Sequence, residues 1–457
     1  MSTIAAISTA TGNGGIGIIR MSGKNCFEIL NEIFVPINQK NTELKGYTMK
    51  FGYIINPKTN EKIDEVLVSF FVSPKSYTTE NMCEINSHGG LIVEKKILQL
   101  CLENGAELAE PGEFTKRAFF NGRIDLAQAE SVIDLINSKS DNEAKASINQ
   151  LEGNLSKKIH AIRDKLLDIM ADIEANIDYP EYDIEETTNS KIKVVLEEIK
   201  SDLVRLSNSF ENGKILKEGV KTIILGKPNA GKSSLLNTIL NEERAIVSEY
   251  AGTTRDTIEE FVNIQGVPLK LVDTAGIRKT DDKIEEIGVK RALKLSEDAD
   301  LIIAIFDGSK ELDSEDLEIL KIIENKKAIV LLNKNDIGDL KLEEREDFKR
   351  FSGTIIKISA KTGNGVEMLF DKIAEMFKSK EIAMNDGVII TNIRHKNQVD
   401  KAISSVQEAI ASNDSGLPID IVSIPIKQIL SDLSAITGED VSEDIINEIF
   451  SKFCLGK

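Results

Sequence analysis

The sequence predicts a multi-domain chain: an α+β leading domain, an α-helical domain, and an α/β domain with a phosphate-binding loop (P-loop) inserted into the helical one. Three observations predict it. An apolar run at residues 222–225 feeds the glycine-rich stretch GKPNAGKS at 226–233, which opens into the helical pattern of 234–239. Helical spacing lies on both sides of that region, at Leu151, Leu155, Ile159, Ile162, Leu166, Ile169, Ile173 and Ile177 before it, and at Val399, Ala402, Ile403, Val406 and Ile410 after it. The first hundred residues instead alternate short β-like runs with one helical stretch. The expected limits are 1–120 for the leading domain, 121–217 with 380–457 for the helical domain, and 218–379 for the insert.

At 457 residues the chain exceeds what one hydrophobic core organises, and 41% apolar residues exclude wholesale disorder. A net charge of -18 argues against coating nucleic acid or anionic membrane by bulk attraction. Cys26, Cys83, Cys101 and Cys454 are too scattered for a disulfide framework or a zinc knuckle, which points to a reduced, cytoplasmic setting. No stretch approaches the length of a membrane span, so no membrane role is expected.

In the leading part, residues 4–7 and 18–20 read as two strands around the glycine turn 12–17. The spacing of Gly12, Gly14 and Gly17 fits a dinucleotide fingerprint, but a short β-branched run follows it where that motif needs a helix. Strands are expected at 50–55, 65–72 and 82–86, and a helix at 93–104 ending at Gly105. Arg20, Glu84, His88 and Arg123 are the polar residues that stand out there.

In the insert, Gly226 and Gly231 let the backbone curl so that its N–H groups, from Asn229 through Ser234 and including Ala230, face an anion. Lys232 reaches the terminal phosphates, and Ser233 offers magnesium a hydroxyl. Three further pieces follow in order. The polar run Gly252-Thr253-Thr254-Arg255-Asp256, with Ser248, Glu249, Tyr250 and Ala251 before it, can close over a nucleotide, Thr254 supplying a second hydroxyl to the metal. In Asp273-Thr274-Ala275-Gly276, Asp273 reaches magnesium through water and the Gly276 N–H senses a γ-phosphate. In Asn333-Lys334-Asn335-Asp336, Asp336 accepts from the N1–H and 2-amino group of guanine, a donor pair adenine lacks, so the nucleotide is GTP. Ser359-Ala360-Lys361 supplies backbone that closes over the base.

Where Ras-like signalling GTPases place a water-orienting glutamine, this chain has Ile277, which cannot hold a nucleophilic water. Glu285 is a candidate for that task, against the alternative of a solvated charge at a helix start. For charge developing in the transition state, Arg255 or Arg278 could act as a finger. Alternatively, a monovalent cation could sit on the phosphates with Asn229 as a neutral oxygen ligand.

The tail, Phe453-Cys454-Leu455-Gly456-Lys457, fits a prenylation signal badly. Cys454 with Lys457 nearby to favour a thiolate is a candidate for covalent chemistry, the alternative being an incidental exposed cysteine.

Taken together, Gly14-Gly15-Ile16-Gly17-Ile18-Ile19-Arg20, Ser87-His88-Gly89-Gly90, the runs at 111–119 and 125–130, the Gly-Thr-Thr-Arg-Asp insert and the Phe-Cys-Leu-Gly-Lys tail closely resemble the bacterial tRNA-modification GTPase family MnmE, also called TrmE. The resemblance spans essentially the whole chain. It implies a GTPase that works with the flavoprotein MnmG to install aminomethyl or carboxymethylaminomethyl groups at C5 of the wobble uridine of certain tRNAs. It also implies a folate-binding leading domain that mediates a homodimer. Carried over, Arg20, Glu84, Arg123 and Lys457 match contacts to 5-formyltetrahydrofolate, the family more often having Lys at 123. Asn229, Ser248, Tyr250 and Thr253 match potassium-binding positions, with Thr more usual at 248. Ser233 and Thr254 match the magnesium ligands, and Glu285 matches the water-orienting acid. A rival reading, a ribosome-assembly or signalling-type switch GTPase, explains the insert but gives the leading domain and tail no purpose.

Overall fold

Strands β1 (Ile4–Ile7) and β2 (Gly17–Ser22) pair antiparallel across the glycine turn, Ala6 opposite Arg20, as their β-branched runs predict. They belong to a seven-stranded sheet with β3 (Phe34–Pro36), β4 (Tyr47–Ile55), β5 (Lys62–Phe71), β6 (Met82–Ser87) and β7 (Glu107–Leu108), ordered β3-β4-β5-β6-β2-β1-β7. Helices Cys26–Ile33 and Leu91–Glu103 cover one face, enclosing Ile19, Met21, Leu30, Val68, Ile85 and Ile97. Cys26, Cys83 and Cys101 are fully buried in the same core, whereas Cys454 is exposed. Part of the other face is covered where Phe114, of helix Glu113–Phe120, packs on Ile4 and Ala6.

The structure is a computed structural model and describes residues 2–10, 12, 14–37, 46–178, 185–241, 260–272, 296–338, 340–378 and 388–457. The chain divides into two compact units, one made of Met1–Ile133, Gln150–Leu196 and Ser404–Lys457, the other of Asp134–Asn149 and Glu197–Ile403. In the first unit, helix Asn154–Asp178 buries Leu155, Ile159, Ile162, Leu166, Ile169 and Ile173, as the periodicity predicts, and packs on helix Ile419–Thr437. Leu151 does not belong to it. That residue ends the preceding helix, Asp141–Leu151, because the chain turns at Gly153, whose φ of 79° is left-handed. The two helices Leu126–Ile136 and Asp141–Leu151 are stitched reciprocally: Gln128 Nε2 donates to the Leu151 carbonyl and Gln150 Nε2 to that of Ala127, each at 2.7 Å.

The second unit holds a six-stranded sheet in the order β13-β12-β11-β8-β10-β9. Its members are β8 (Val220–Leu225), β9 (Glu260–Ile264), β10 (Val267–Leu271), β11 (Leu301–Asp307), β12 (Ala328–Asn333) and β13 (Thr354–Lys357). All neighbours are parallel except the edge hairpin β9-β10. Parallel strands are covered on both faces, which is why β11 and β12 are buried along nearly their whole length. One face packs under helices Lys232–Asn241 and Val366–Lys378, and the other under helix Ser314–Ile323 and Phe348.

Candidate functional site

The C-terminal ends of parallel strands in an open α/β sheet are where ligands bind, and three sequence-predicted segments meet there. β8 runs into Gly226, which lies so close to β11 that a Cβ would stand 2.5 Å from the Ile305 carbonyl oxygen. Asn229 has a φ of 61° and Gly231 of 111°, so the loop turns its backbone inward before helix Lys232–Asn241 begins. A Cβ at Gly231 would collide with the Asn333 amide, so only glycine fits. Lys232 Nζ arches back over the loop, donating to the Gly226 carbonyl at 2.6 Å and the Lys227 carbonyl at 2.8 Å.

Asn333, at the end of β12, is 2% exposed and joins two of the segments. Its Nδ2 donates to the Ala230 carbonyl at 2.8 Å, and its Oδ1 accepts from the Ala360 N–H at 2.8 Å. Thr238 Oγ1 adds a third tie by donating to the Ala360 carbonyl at 2.9 Å. The loop of Ser359, Ala360 and Lys361 is therefore fastened to the phosphate loop. Lys334 pairs with Asp307 at 2.7 Å. Burial opposes ionisation of Asp307, but hydrogen bonds from Lys334 and Ser309 outweigh it and hold the carboxyl below its ordinary range. Asp336 is exposed just beyond, where its carboxylate can meet a base. Of the residues expected from sequence to bind magnesium and potassium, Ser233 and Asn229 are described. Ser248, Glu249, Tyr250, Ala251, Gly252, Thr253, Thr254, Arg255, Asp273, Thr274, Ala275, Gly276, Arg278 and Glu285 lie outside the described residues. Among the described residues, no group of three His, Cys, Asp or Glu side chains is placed to hold a metal ion. The Ser233 hydroxyl suits an octahedral magnesium that takes its other ligands from phosphate and water.

In the first unit, the outer face of the seven-stranded sheet carries a cavity of about 480 Å³ lined by Arg20, Glu84 and Arg123, together with Tyr47, Phe71, Tyr77 and Met82. Register explains the first pairing: Arg20 on β2 is opposite Glu84 on β6. Arg20 Nη2 and Nε both reach Glu84 Oε1, at 2.7 and 3.0 Å, and Arg20 Nη1 donates to the Gly456 carbonyl at 3.2 Å. The tail is thus held against β1 and β2, with Ser8 Oγ also donating to the Gly456 carbonyl at 3.0 Å. Lys457 is brought near Arg20, Glu84 and Cys454; burial and the Arg20 charge push its ammonium below the usual lysine range. Three of the four sequence-predicted folate contacts, Arg20, Glu84 and Arg123, therefore line one cavity, and Lys457 stands within electrostatic reach of the first two, although they lie up to hundreds of positions apart in the chain.

Tyr77 was not among the residues singled out from sequence. Its ring lies 4.8 Å from the Arg123 guanidinium and 5.6 Å from that of Arg20, its carbonyl accepts from Arg123 Nη1 at 2.9 Å, and its hydroxyl shares a 2.9 Å hydrogen bond with Thr115. Burial raises its phenol above the ordinary value, against the Thr115 hydrogen bond and the two arginine charges. The available signal was an aromatic side chain in an otherwise small and polar turn, residues 73–81. Cavity and cations together suit a ligand with an aromatic body and an anionic end.

The family profile described as "GTP-binding protein TrmE N-terminus" matches residues 3–123, and that described as "MnmE helical domain" matches residues 126–454. A protein from Acetivibrio thermocellus, named "tRNA modification GTPase MnmE", is 50% identical over 457 residues, covering 100% of this chain and 99% of its own. Proteins of the same name from Clostridioides difficile and Alkaliphilus oremlandii are 50% and 47% identical, also over 100% of this chain and 99% of theirs. Matched from Thr3 to Cys454 by the two profiles and end to end by these relatives, the chain belongs to the MnmE family of tRNA modification GTPases.

Proposed function

We propose that the protein is a potassium-dependent GTPase that, with the flavoprotein MnmG, adds aminomethyl or carboxymethylaminomethyl groups to C5 of the wobble uridine of certain tRNAs. The observation that carries the GTPase part is the convergence of the Gly226–Ser233 loop, Asn333 and Ala360 at one sheet edge. In this reading residues 218–379 act as a G domain. Loop N–H groups and Lys232 hold the phosphates, Asp336 reads guanine, and Ser233 with Thr254 holds magnesium, which when bound neutralises charge on the phosphates. Asn229, Ser248, Tyr250 and Thr253 hold potassium, and Glu285 orients the attacking water. The cavity of Arg20, Glu84 and Arg123, with Lys457 from the tail that Arg20 fastens, takes 5-formyltetrahydrofolate or a related one-carbon folate, and Cys454 of the same tail serves the chemistry. The functional species is a cytoplasmic homodimer, joined through the leading domains and associated with MnmG. GTP draws two G domains together and hydrolysis releases them, gating the chemistry.

Mass analysis of wobble uridines from cells lacking the protein tests this directly: C5 modification is expected to disappear. Unchanged nucleosides would favour the switch-GTPase alternative, which also predicts no folate binding at the Arg20 cavity.

A further inference from the structure

The hairpin β9-β10 is the stretch of chain between the two nucleotide-sensing segments. Thr253 and Thr254 lie shortly upstream of Glu260, and Asp273 directly follows Val272. Its two-residue turn has left-handed φ at both positions, 49° at Gln265 and 90° at Gly266, the geometry that matches strand twist and makes a stiff hairpin. The turn is held from two sides. Gln265 Nε2 donates to Asp371 Oδ1 of helix Val366–Lys378 at 2.7 Å, and Asn142 Nδ2 donates to the Gly266 carbonyl at 3.2 Å.

Asn142 comes from far upstream, in the segment Asp134–Asn149 that clusters with the second unit. That segment is built as a corner. Ser140 Oγ accepts from the Glu143 N–H at 3.1 Å and Glu143 Oε2 accepts from the Lys139 N–H at 2.6 Å, which fixes the start of helix Asp141–Leu151 and hence Asn142. Lys139 sets its ammonium 3.3 Å from the centre of the Phe261 ring on β9, and Lys217 closes the other side by pairing with Asp134 at 2.7 Å. Both helices leaving this corner continue past it: Leu126–Ile136 carries Leu126 and Ala129 into the cluster of Phe450 and Phe453 that precedes the Cys454 tail.

We propose that Lys139 and Asn142 are positioning residues through which nucleotide state at the G domain is passed to the helices Leu126–Ile136 and Asp141–Leu151. The proposal rests on the GTPase reading above. A tilt of the hairpin is carried to its tip over five residues, about 17 Å of strand. There the gripped corner must follow or let go, a two-state element of the kind that turns small shifts into larger ones.

Hydrogen exchange on the full chain, loaded with GDP or with a non-hydrolysable GTP analogue, tests it. Peptides covering residues 138–149 are expected to differ at least about fivefold in exchange rate between the two states. The double substitution Lys139→Ala with Asn142→Ala is expected to abolish that difference while leaving GTP hydrolysis within about twofold of the parent. Identical exchange of 138–149 in the two states, with phosphate-loop peptides responding, overturns the coupling role and leaves the GTPase reading standing. A double variant that keeps the full difference overturns it too. Absence of any response at the phosphate loop refutes the GTPase reading itself, and this proposal with it.

Discussion

The guanidinium of Arg20 donates to the carbonyl of Gly456 at 3.2 Å, across 436 positions of sequence, while its other edge is held by Glu84. One cation therefore lines the cavity and fastens the tail that carries Cys454. A ligand that competes for Arg20 acts on both.

Gly456 is the weak point of that fastening. Its φ is 84°, and a Cβ there would press on the Ile7 carbonyl and stand 2.8 Å from Ser8 Cα. Left-handed backbone costs an alanine about 1 to 2 kcal/mol before any clash. Gly456→Ala should therefore weaken 5-formyltetrahydrofolate binding about tenfold by calorimetry, which corresponds to about 1.4 kcal/mol. Equal affinities would show that the tail takes no part in the cavity.

Asn333→Ala leaves the Ala230 carbonyl and the Ala360 N–H without their partner inside the protein. Each stranded buried group costs about 1 to 3 kcal/mol. A loss of at least about tenfold in GDP affinity is expected by fluorescence titration, with a lowered Tm. Retained affinity would mean that the two loops are positioned without this side chain.

Glu143 gives the corner a pH dependence of its own. Burial raises its carboxyl from 4.5 to about 7, although the Lys139 N–H hydrogen bond and the Lys139 and Lys217 charges favour ionisation and Asp134 opposes it. A folded pKa above the unfolded one means the native chain binds the proton more tightly. Its stabilising contribution is therefore complete below about 4.5 and lost as pH rises through about 7. Glu143→Gln keeps a neutral side chain at every pH. Its Tm should exceed the parent's by about 2 °C at pH 8, and the gap should close toward pH 5. A gap independent of pH would place the titration elsewhere.

Potassium supplies a salt test of the nucleotide site. GTP turnover should rise sharply when potassium replaces sodium at constant ionic strength; equal rates would remove the cation from the mechanism and return the task to Arg255 or Arg278.

Glu285→Ala should retain GTP binding and lose hydrolysis by several powers of ten. A fall of less than about tenfold, or 1.4 kcal/mol, would return Glu285 to the solvated surface.

What the sequence made legible follows the range of each interaction. The phosphate loop could be read directly because its glycines, Lys232 and Ser233 act within eight consecutive residues. The strands around Arg20 and Glu84 were readable from β-branched runs, but their pairing depends on register between β2 and β6, which no local pattern encodes. Arg20, Glu84, Arg123 and Lys457 could be grouped from sequence only through family resemblance. Tyr77 escaped because its role is defined by two arginines, one 57 positions before it and one 46 after it. The break at Gly153 was missed for a different reason: Leu151 keeps the apolar spacing across it, and periodicity does not register a single left-handed residue.

The uneven burial of the four cysteines has a practical consequence. Cys26, Cys83 and Cys101 are enclosed in the leading core, where the hydrogen bond the Cys83 thiol makes to Cys26, together with burial, raises the Cys83 thiol and burial raises that of Cys101. A thiolate is the species that reacts with a maleimide, so the native chain should take up one dye, at Cys454, and the denatured chain four. The wild-type sequence thus already contains a single-site fluorescent reporter on the tail that Arg20 fastens, with no engineered cysteine needed.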